Sequence, residues 1–431
     1  MDSTDKVVFA TRFVATLLVL LSFPSRAQQP ATQDAAQSVI DAFNSAGKSH
    51  TGLPGFEQLT HISATSDAAS RFRDEMKATL SAELGDYELA LSEVPYSVSN
   101  KAAIDKPNPL PKSGLQPEEA ADAIVRLARD RRIVIINEAH HVPQTRALIA
   151  ELLPRLRAVG FTDYSAEALT EEAPRGISAR GYPLRSDGIY TREPVFAQLL
   201  RSAAGLGFRI HAHEYVGSES EQQVRETGQA ENLARLLRKN PNGRLLVHVG
   251  YSHVKEGPLP TYIPMAAELK RLAGIDPLTV DQVMLQPNRP TSRELPDYRA
   301  LLKRLPPDRL QGSVFVDSAG NPWSYEPSQY DISVVLPDPP AKDGRPGWLW
   351  QPMLQRHPVL ADPALCDDVF PCAIAARWAD APDDAVAADM VLLRGAGTRT
   401  SLAVPPGHFT LVATDAQDRL LGRRDVTQAA P

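Results

Sequence analysis

The sequence predicts an α/β fold: a central, mainly parallel sheet flanked by helices, with a helical region before it and a small β-sandwich-like module after it. Three observations predict this. Between residues 116 and 286, short β-branched runs alternate with helical segments of 11–21 residues, the pattern of βαβ units. Before residue 116 the chain is helical and polar, and ends in a proline cluster. After Leu285 the prolines thicken, and beyond residue 346 the apolar runs become short strands separated by turns.

The first 27 residues stand apart. Lys6 and Arg12 precede an apolar run of 11, Phe13 to Phe23, and Ser25-Arg26-Ala27 supplies small residues at −3 and −1. This layout predicts a signal peptide spanning 1–27 and an exported protein, periplasmic or extracellular. The run is shorter than the ~20 residues of a membrane span, so no stable span is expected. Residues 28–115 read as a helical N-terminal region, with helical periodicity over 35–46 and 68–84. Lys106-Pro107-Asn108-Pro109-Leu110-Pro111 reads as a linker.

The α/β domain is read over 116–336. Pro117-Glu118-Glu119 opens a helix running to Arg129, since proline and acidic residues suit a first turn. Strands follow at 132–137, 161–167, 208–215, 244–249 and 278–285. Helices lie between them at 142–159, 194–206, 219–239 and 263–273. Segments 313–317 and 332–336 extend the same sheet. The stretch 337–346, with four prolines, marks a boundary. Residues 347–431 form the β-rich module, with strands at 390–393, 401–404 and 408–414. Cys366 and Cys372 are the only cysteines, and in an oxidising compartment they are expected to form a disulfide.

Composition narrows the function. Apolar residues make up 43% and charged residues 23%, so wholesale disorder and coiled coil are excluded. The net charge of −6 offers no basic field, so nucleic acid is not an expected partner. A small-molecule ligand or substrate is expected instead, and the oligomeric state is left open.

Histidine placement is the most informative feature. Six of the ten histidines lie between residues 140 and 253, on or just past the ends of predicted parallel strands. The first strand runs into Glu138, His140 and His141, and the second into Glu167. The third carries His211, His213 and Glu214. The fourth carries His248 and leads through Gly250, Tyr251 and Ser252 to His253. In open α/β sheets ligands bind beyond the carboxyl ends of the strands, so these groups converge on one edge. Imidazoles with carboxylates suit general acid/base work or a divalent metal. Glu138, His140 and His253 are the candidate metal ligands. His211 and His213, which share a sheet face, and His248 each have a structural reading as buried, hydrogen-bonded histidines, and His141 has one as an exposed loop residue. There is no His-Glu-x-x-His pattern and no phosphate-binding glycine loop. Gly250-Tyr251-Ser252-His253 lacks the second glycine of a nucleophile elbow, which leaves Ser252 a poor nucleophile candidate.

Ile135-Ile136-Asn137-Glu138-Ala139-His140 resembles the Gly-Glu-x-His motif of the erythromycin-esterase and ChaN-like haem-uptake families, which the Tiki/TraB metalloprotease group shares. Arg225-Glu226, Ala230-Glu231-Asn232-Leu233 and Val247 to Val254 resemble the second block of the erythromycin esterases, and Glu167 falls where these families place a second acidic residue. The resemblance spans about residues 117–286 and implies an erythromycin-esterase/ChaN-like sheet. It also implies a site of Glu138, His140, Glu167 and His253, with Arg225 supporting. His141, His213, Glu214 and Tyr251 are placed around the ligand. Asn137 stands where the families have glycine; asparagine tolerates left-handed backbone. Gly250-Tyr251-Ser252 stands where esterases have His-Asn-x.

Three functions stay open from sequence. One is a hydrolase in which His140 acts as general base on water, alone or with a metal. The second is a haem- or metal-binding protein of ChaN-like type, with Tyr251 and His253 as candidate ligands to iron. The third is a non-catalytic scaffold. Residues 180–183 and 188–192, with Arg180, Tyr182, Tyr190 and Arg192, are expected to form the loop over the site and to favour a polar or anionic ligand.

Overall fold

The computed structural model describes residues 29–63, 66–94, 110, 114–217, 219 and 221–429. The predicted signal peptide and nearly all of the Pro-rich linker lie outside the described residues. Among those described, no helix is long and apolar enough to cross a membrane.

Four helices come first: α1 (Gln29–Lys48), α2 (Leu53–His61), α3 (Asp67–Glu83) and α4 (Tyr87–Glu93). Ser66 and Asp86 cap the last two, accepting from Ala69 N at 3.2 Å and Leu89 N at 3.1 Å. Their apolar faces, including Val39, Phe43, Phe56, Phe72 and Met76, belong to one core cluster with the α/β sheet. These helices are therefore part of the body of the protein.

Strand β1 (Gln116–Glu119) precedes helix α5 (Ala120–Ala128). The predicted helix start is corrected here: Pro117 to Glu119 pair antiparallel with β7 (Ser313–Val316), and the helix begins only at Ala120. Proline fits because such a two-stranded ladder has free edges that need no N–H from it. The same pairing keeps 313–316 out of the main sheet, which it was expected to extend.

The main sheet holds β2 (Ile133–Glu138), β3 (Asp163–Ala166), β4 (Arg209–Ala212), β5 (Leu245–Gly250), β6 (Leu278–Asp281) and β8 (Ile332–Ser333). Their order is β4-β3-β5-β2-β6-β8, and every pair is parallel. Helices α6 (Gln144–Ala158), α7 (Ala173–Arg180), α8 (Pro194–Gly205), α9 (Gln222–Lys239) and α10 (Met265–Ala273) connect the strands, and α11 (Pro296–Leu302) follows. Sequence alternation explains the layering. Val134, Ile136 and Leu246 point to the face covered by α5, α6 and α8. Ile133, Ile135, Leu245 and Val247 point to the face covered by α9 and α10. A strand buried on both faces reads as a near-continuous apolar run, and β2 and β5 do, with His248 the one polar side chain inside β5. The chain leaves β2 towards β3 over one face and leaves β5 towards β6 over the other. The ends of β2 and β5 are thus a topological switch point.

The C-terminal strands form a four-stranded antiparallel sheet and a two-stranded one. The first has the order β11 (Asp389–Leu393), β10 (Cys372–Trp378), β13 (Gly407–Asp415), β14 (Leu420–Gln428). The second pairs β12 (Ser401–Val404) with β9 (His357–Leu360). Alternation again assigns the faces. Ala373, Ala375, Met390 and Leu392 join the main core, while Cys372, Ile374, Val391 and Leu393 pack with Leu402 and Val404 of the smaller sheet. The proline-rich 337–346 segment is anchored by buried Arg345, which bonds Asp389 Oδ2 at 2.9 Å.

Cys366 and Cys372 are joined, with Cα atoms 6.0 Å apart and six residues of separation. Closing so short a loop stabilises by about 2 kcal/mol in the chain-entropy model. Reduction should lower the thermal midpoint by a few degrees and no more, read by circular dichroism with and without reductant; an unchanged midpoint counts against it.

Candidate functional site

The carboxyl ends of β2, β3, β4 and β5 deliver two linked clusters of charged side chains. In the first, Glu138 ends β2 with the same parity as Val134 and Ile136, so it points at α6. Arg146, fully buried on α6, meets it with both Nε (2.6 Å, to Oε2) and Nη2 (2.9 Å, to Oε1). His140 Nδ1 donates to Glu138 Oε1 at 2.8 Å, and His248 Nε2 donates to Oε2 at 2.9 Å. His248 Nδ1 in turn accepts from the Tyr164 hydroxyl at 2.9 Å. Arg146 also reaches Glu193 Oε2 at 2.8 Å, the residue that caps α8 by accepting from Val195 N and Phe196 N. Burial alone would raise the Glu138 carboxyl; Arg146 and then His248 outweigh it and hold it well below its ordinary range.

The second cluster is centred on Arg225 of α9. Its Nη2 donates to Glu167 Oε1 at 2.7 Å and to Glu214 Oε2 at 2.8 Å, and its Nε to Glu214 Oε1 at 2.9 Å. Its Nη1 lies 3.0 Å from His253 Nε2, which is also 3.5 Å from Glu167 Oε1. His253 Nδ1 donates to Glu226 Oε2 at 2.8 Å. Burial pulls His253 down, and Glu226 and then Glu167 carry it back above its ordinary value. The neutral ring accepts from Arg225; the protonated ring turns its second N–H towards Glu167. Burial would raise Glu167, but His253 and Arg225 overcome it and keep this carboxyl ionised.

Gly250 joins the clusters. Its N–H donates to Glu167 Oε2, and a side chain there would collide with the His140 ring and stand 3.2 Å from Glu167 Oε2. Glycine is therefore what lets the His140 ring approach the Glu167 carboxylate. Tyr190 covers His140, stacked with ring centres 3.6 Å apart and planes 9° apart, and Tyr251 meets its edge at 4.9 Å. His140 Nε2 makes no hydrogen bond among the described residues. With Nδ1–H fixed on Glu138, it is left as the acceptor.

Of the ligand-side residues, Glu214 lies within the second cluster. His213, the residue after β4, lies beside it. The Ser165 hydroxyl donates to His211 O at 3.3 Å, so it accepts from His213 Nδ1 at 2.8 Å. Nε2 of His213 is buried without a partner among the described residues. Burial pushes His213 down to about 3. His141 turns away, donating from Nε2 to Val94 O at 3.1 Å and accepting from Tyr251 OH at 3.2 Å, and burial pushes it down to about 4. His211 pairs with Asp163 at 2.8 Å, outside both clusters.

Several expectations are corrected. Asn137 is not left-handed: it lies extended at the end of β2. Its amide ties strand ends together, donating to Asp281 Oδ1 (2.8 Å) and Tyr251 O (2.9 Å) and accepting from Gln282 N (2.8 Å). Arg180 and Arg192 do not await an anion, since they pair with Asp187 and with Glu83. The metal reading does not fit the donors. Both Glu138 oxygens are held by Arg146 and two histidines, and both His253 nitrogens face Glu226 and Arg225. No group of three His, Cys, Asp or Glu among the described residues is placed to hold a metal ion. The same contacts leave His253 no lone pair for haem iron.

Arg146, Glu193 and Glu226 complete the clusters without having been singled out as site residues, while Tyr190 comes from the 188–192 segment expected over the site. Arg146 had a signal: an arginine beside Ala147-Leu148-Ile149 on a buried helix needs a buried partner.

The chain is thus an α/β protein with buried clusters of Glu, His and Arg side chains at the switch point of a parallel sheet. No family model matches it, and no curated protein does. Among solved structures it is similar to one titled bacterial protein toxins, at 17% identity and TM-score 0.30, covering 49% of this chain and 45% of that one. It is also similar to RRSP, a MARTX toxin effector domain from Vibrio vulnificus, at 14% identity and TM-score 0.31, covering 65% of this chain and 63% of that one. A third is the C-terminal region of Pasteurella multocida toxin, with a thiol-protease-like catalytic triad, at 11% and 0.25, covering 45% and 30%. The chain spans less than two thirds of the length of each of these structures.

Proposed function

We propose that this chain is an exported hydrolase of the erythromycin-esterase-like type, acting on a small-molecule ester. The observation that carries the reading is the Glu138–His140 pair: Nδ1 is fixed at 2.8 Å on a carboxylate that three other N–H groups keep ionised. That arrangement leaves Nε2 to take a proton from water as the water oxygen attacks the acyl carbon. Arg225, paired with Glu214 and bonded to Glu167 Oε1 at 2.7 Å, fixes the Glu167 carboxylate beside the His140 ring. Tyr190, stacked on His140, keeps the ring from turning.

The test is hydrolysis of a panel of short-chain esters by the purified chain, with His140→Ala as comparison. The expected loss in kcat is about 10²–10⁴-fold, the usual contribution of a general base. Equal turnover by both proteins, or none by the wild type, would sink the reading.

A further inference from the structure

We propose that Tyr164 and His248 are positioning residues of this site: they build a hydrogen-bonded stair across three strands that fixes the carboxylate holding His140. The inference rests on the hydrolase reading above. Strand alternation puts the members on one face. Tyr164 of β3, His248 of β5 and Glu138 of β2 all point to the side that carries Val134, Ile136 and Leu246. Register sets the spacing. His248 is level with Ala166 of β3 and with Ile136 of β2, so Tyr164 stands two residues below it and Glu138 two above. Each step moves one strand across and two residues towards the carboxyl edge. Only long side chains span such steps, and a phenol and an imidazole do. The Tyr164 hydroxyl meets His248 Nδ1 at 2.9 Å, and His248 Nε2 meets Glu138 Oε2 at 2.9 Å.

The direction of each bond follows from the carboxylate. An ionised carboxylate only accepts, so every N–H facing it donates. His248 therefore carries its proton on Nε2, and its Nδ1 needs a donor. Tyr164, His248 and Glu138 are all buried, so that donor has to come from the protein. Among the described residues the Tyr164 hydroxyl alone donates to it. Phe196 lies against the His248 ring, with centres 4.8 Å apart, and restricts its tilt. On the far side of the carboxylate, His140 hangs on Oε1 at 2.8 Å. Arg146 bonds both oxygens from a helix, whereas His248 ties the carboxylate to the sheet itself. A carboxylate that turned about its last bond would carry the His140 ring with it. Small misplacements of a base are costly in rate, so the stair matters for turnover and not for substrate affinity.

The experiment uses the full chain with His248→Leu, His248→Gln and Tyr164→Phe, and p-nitrophenyl acetate as substrate. His248→Leu removes the donor to Glu138 and should lower kcat by about 10-fold or more, with KM within about twofold. His248→Gln offers a side-chain N–H in its place and should recover most of the rate. Tyr164→Phe removes one oxygen and should cost about three- to tenfold, again in kcat, the usual effect of one hydrogen bond. Should His248→Leu not fold, Tyr164→Phe decides by itself.

A second readout needs no turnover. The His140 Nδ1 proton, donated to a carboxylate, should give a downfield proton resonance, assigned by its loss in His140→Ala. We expect it to shift and broaden in His248→Leu and Tyr164→Phe and to return in His248→Gln. Equal losses of kcat in the Gln and Leu variants, or changes in KM as large as those in kcat, would mean a merely structural role. An unchanged rate and resonance in Tyr164→Phe would mean no role. Each of these overturns the inference while the hydrolase reading stands. A wild type that leaves the ester uncleaved sinks the hydrolase reading instead, and the resonance still decides whether the stair holds His140.

Discussion

Replacing Arg146 with methionine should cost the fold about 3–5 kcal/mol, the usual effect of removing one partner from a buried ion pair. Arg146 is wholly buried and supplies four hydrogen bonds, two to Glu138, one to Glu193 and one to the His140 carbonyl. Methionine fills similar volume and can keep contact with Phe196, over which the guanidinium now sits at 4.9 Å. The expected loss is therefore electrostatic: two carboxylates remain buried without their cation. Urea unfolding followed by circular dichroism reads it. The double variant Arg146→Met with Glu193→Gln should recover part of the loss, because one stranded charge is gone. A single-variant loss under about 1 kcal/mol would show that Arg146 is not the keystone of the cluster, since surface pairs are worth that little.

That dependence bears on function. Glu138 holds His140, and Arg146 holds Glu138 while also reaching the cap of α8 through Glu193. The Tyr87 hydroxyl of α4 donates to the same Glu193 at 3.2 Å. His140 is thus fixed by groups from the sheet, two body helices and the N-terminal helices. A base held from so many sides loses little freedom on binding, which is the structural form of preorganisation.

Period-2 and period-3.6 patterns carried the sheet and its helices. The apolar residues of β2 and β5 fall on both faces because both are covered, with His248 the one polar side chain inside β5. The histidines and carboxylates could be placed because a parallel sheet sends all its strand ends to one edge. What did not show was anything set by partners distant in sequence. Pro117 to Glu119 looked like a helix start, and only the pairing with residues 313–316 makes them a strand. Strands β9, β10 and β14 were not picked out; Cys372 to Trp378 is rich in alanine, which has weak strand preference. Arg192 looked available for a ligand because nothing local reveals that Glu83 is its partner.

Substituting His213 with asparagine should make the protein more tolerant of acid relative to the wild type. His213 is buried, and burial depresses it to about 3 from an ordinary value of 6.5. The folded ring is thus neutral, while the ring in the unfolded chain takes a proton as pH falls below 6.5. The unfolded state then binds more protons, so this contribution to stability is full above pH 6.5 and drains as pH falls towards 3. The gap of 3.5 corresponds to about 5 kcal/mol when fully developed, and to about 3 kcal/mol at pH 4. Asparagine does not titrate and keeps an N–H to offer Ser165, so its pH curve lacks this slope. His141, depressed to about 4, has the same sign. Asp281, raised by burial to about 6, has the opposite one: its contribution is lost as pH rises through 6. The whole-protein curve mixes these, and the difference between wild type and His213→Asn isolates one. Unfolding free energies from urea titrations at pH 7, 5.5 and 4 supply that difference. If it is flat, His213 is protonated in the fold and its second nitrogen does not stand unpartnered beside Glu167 and Arg225.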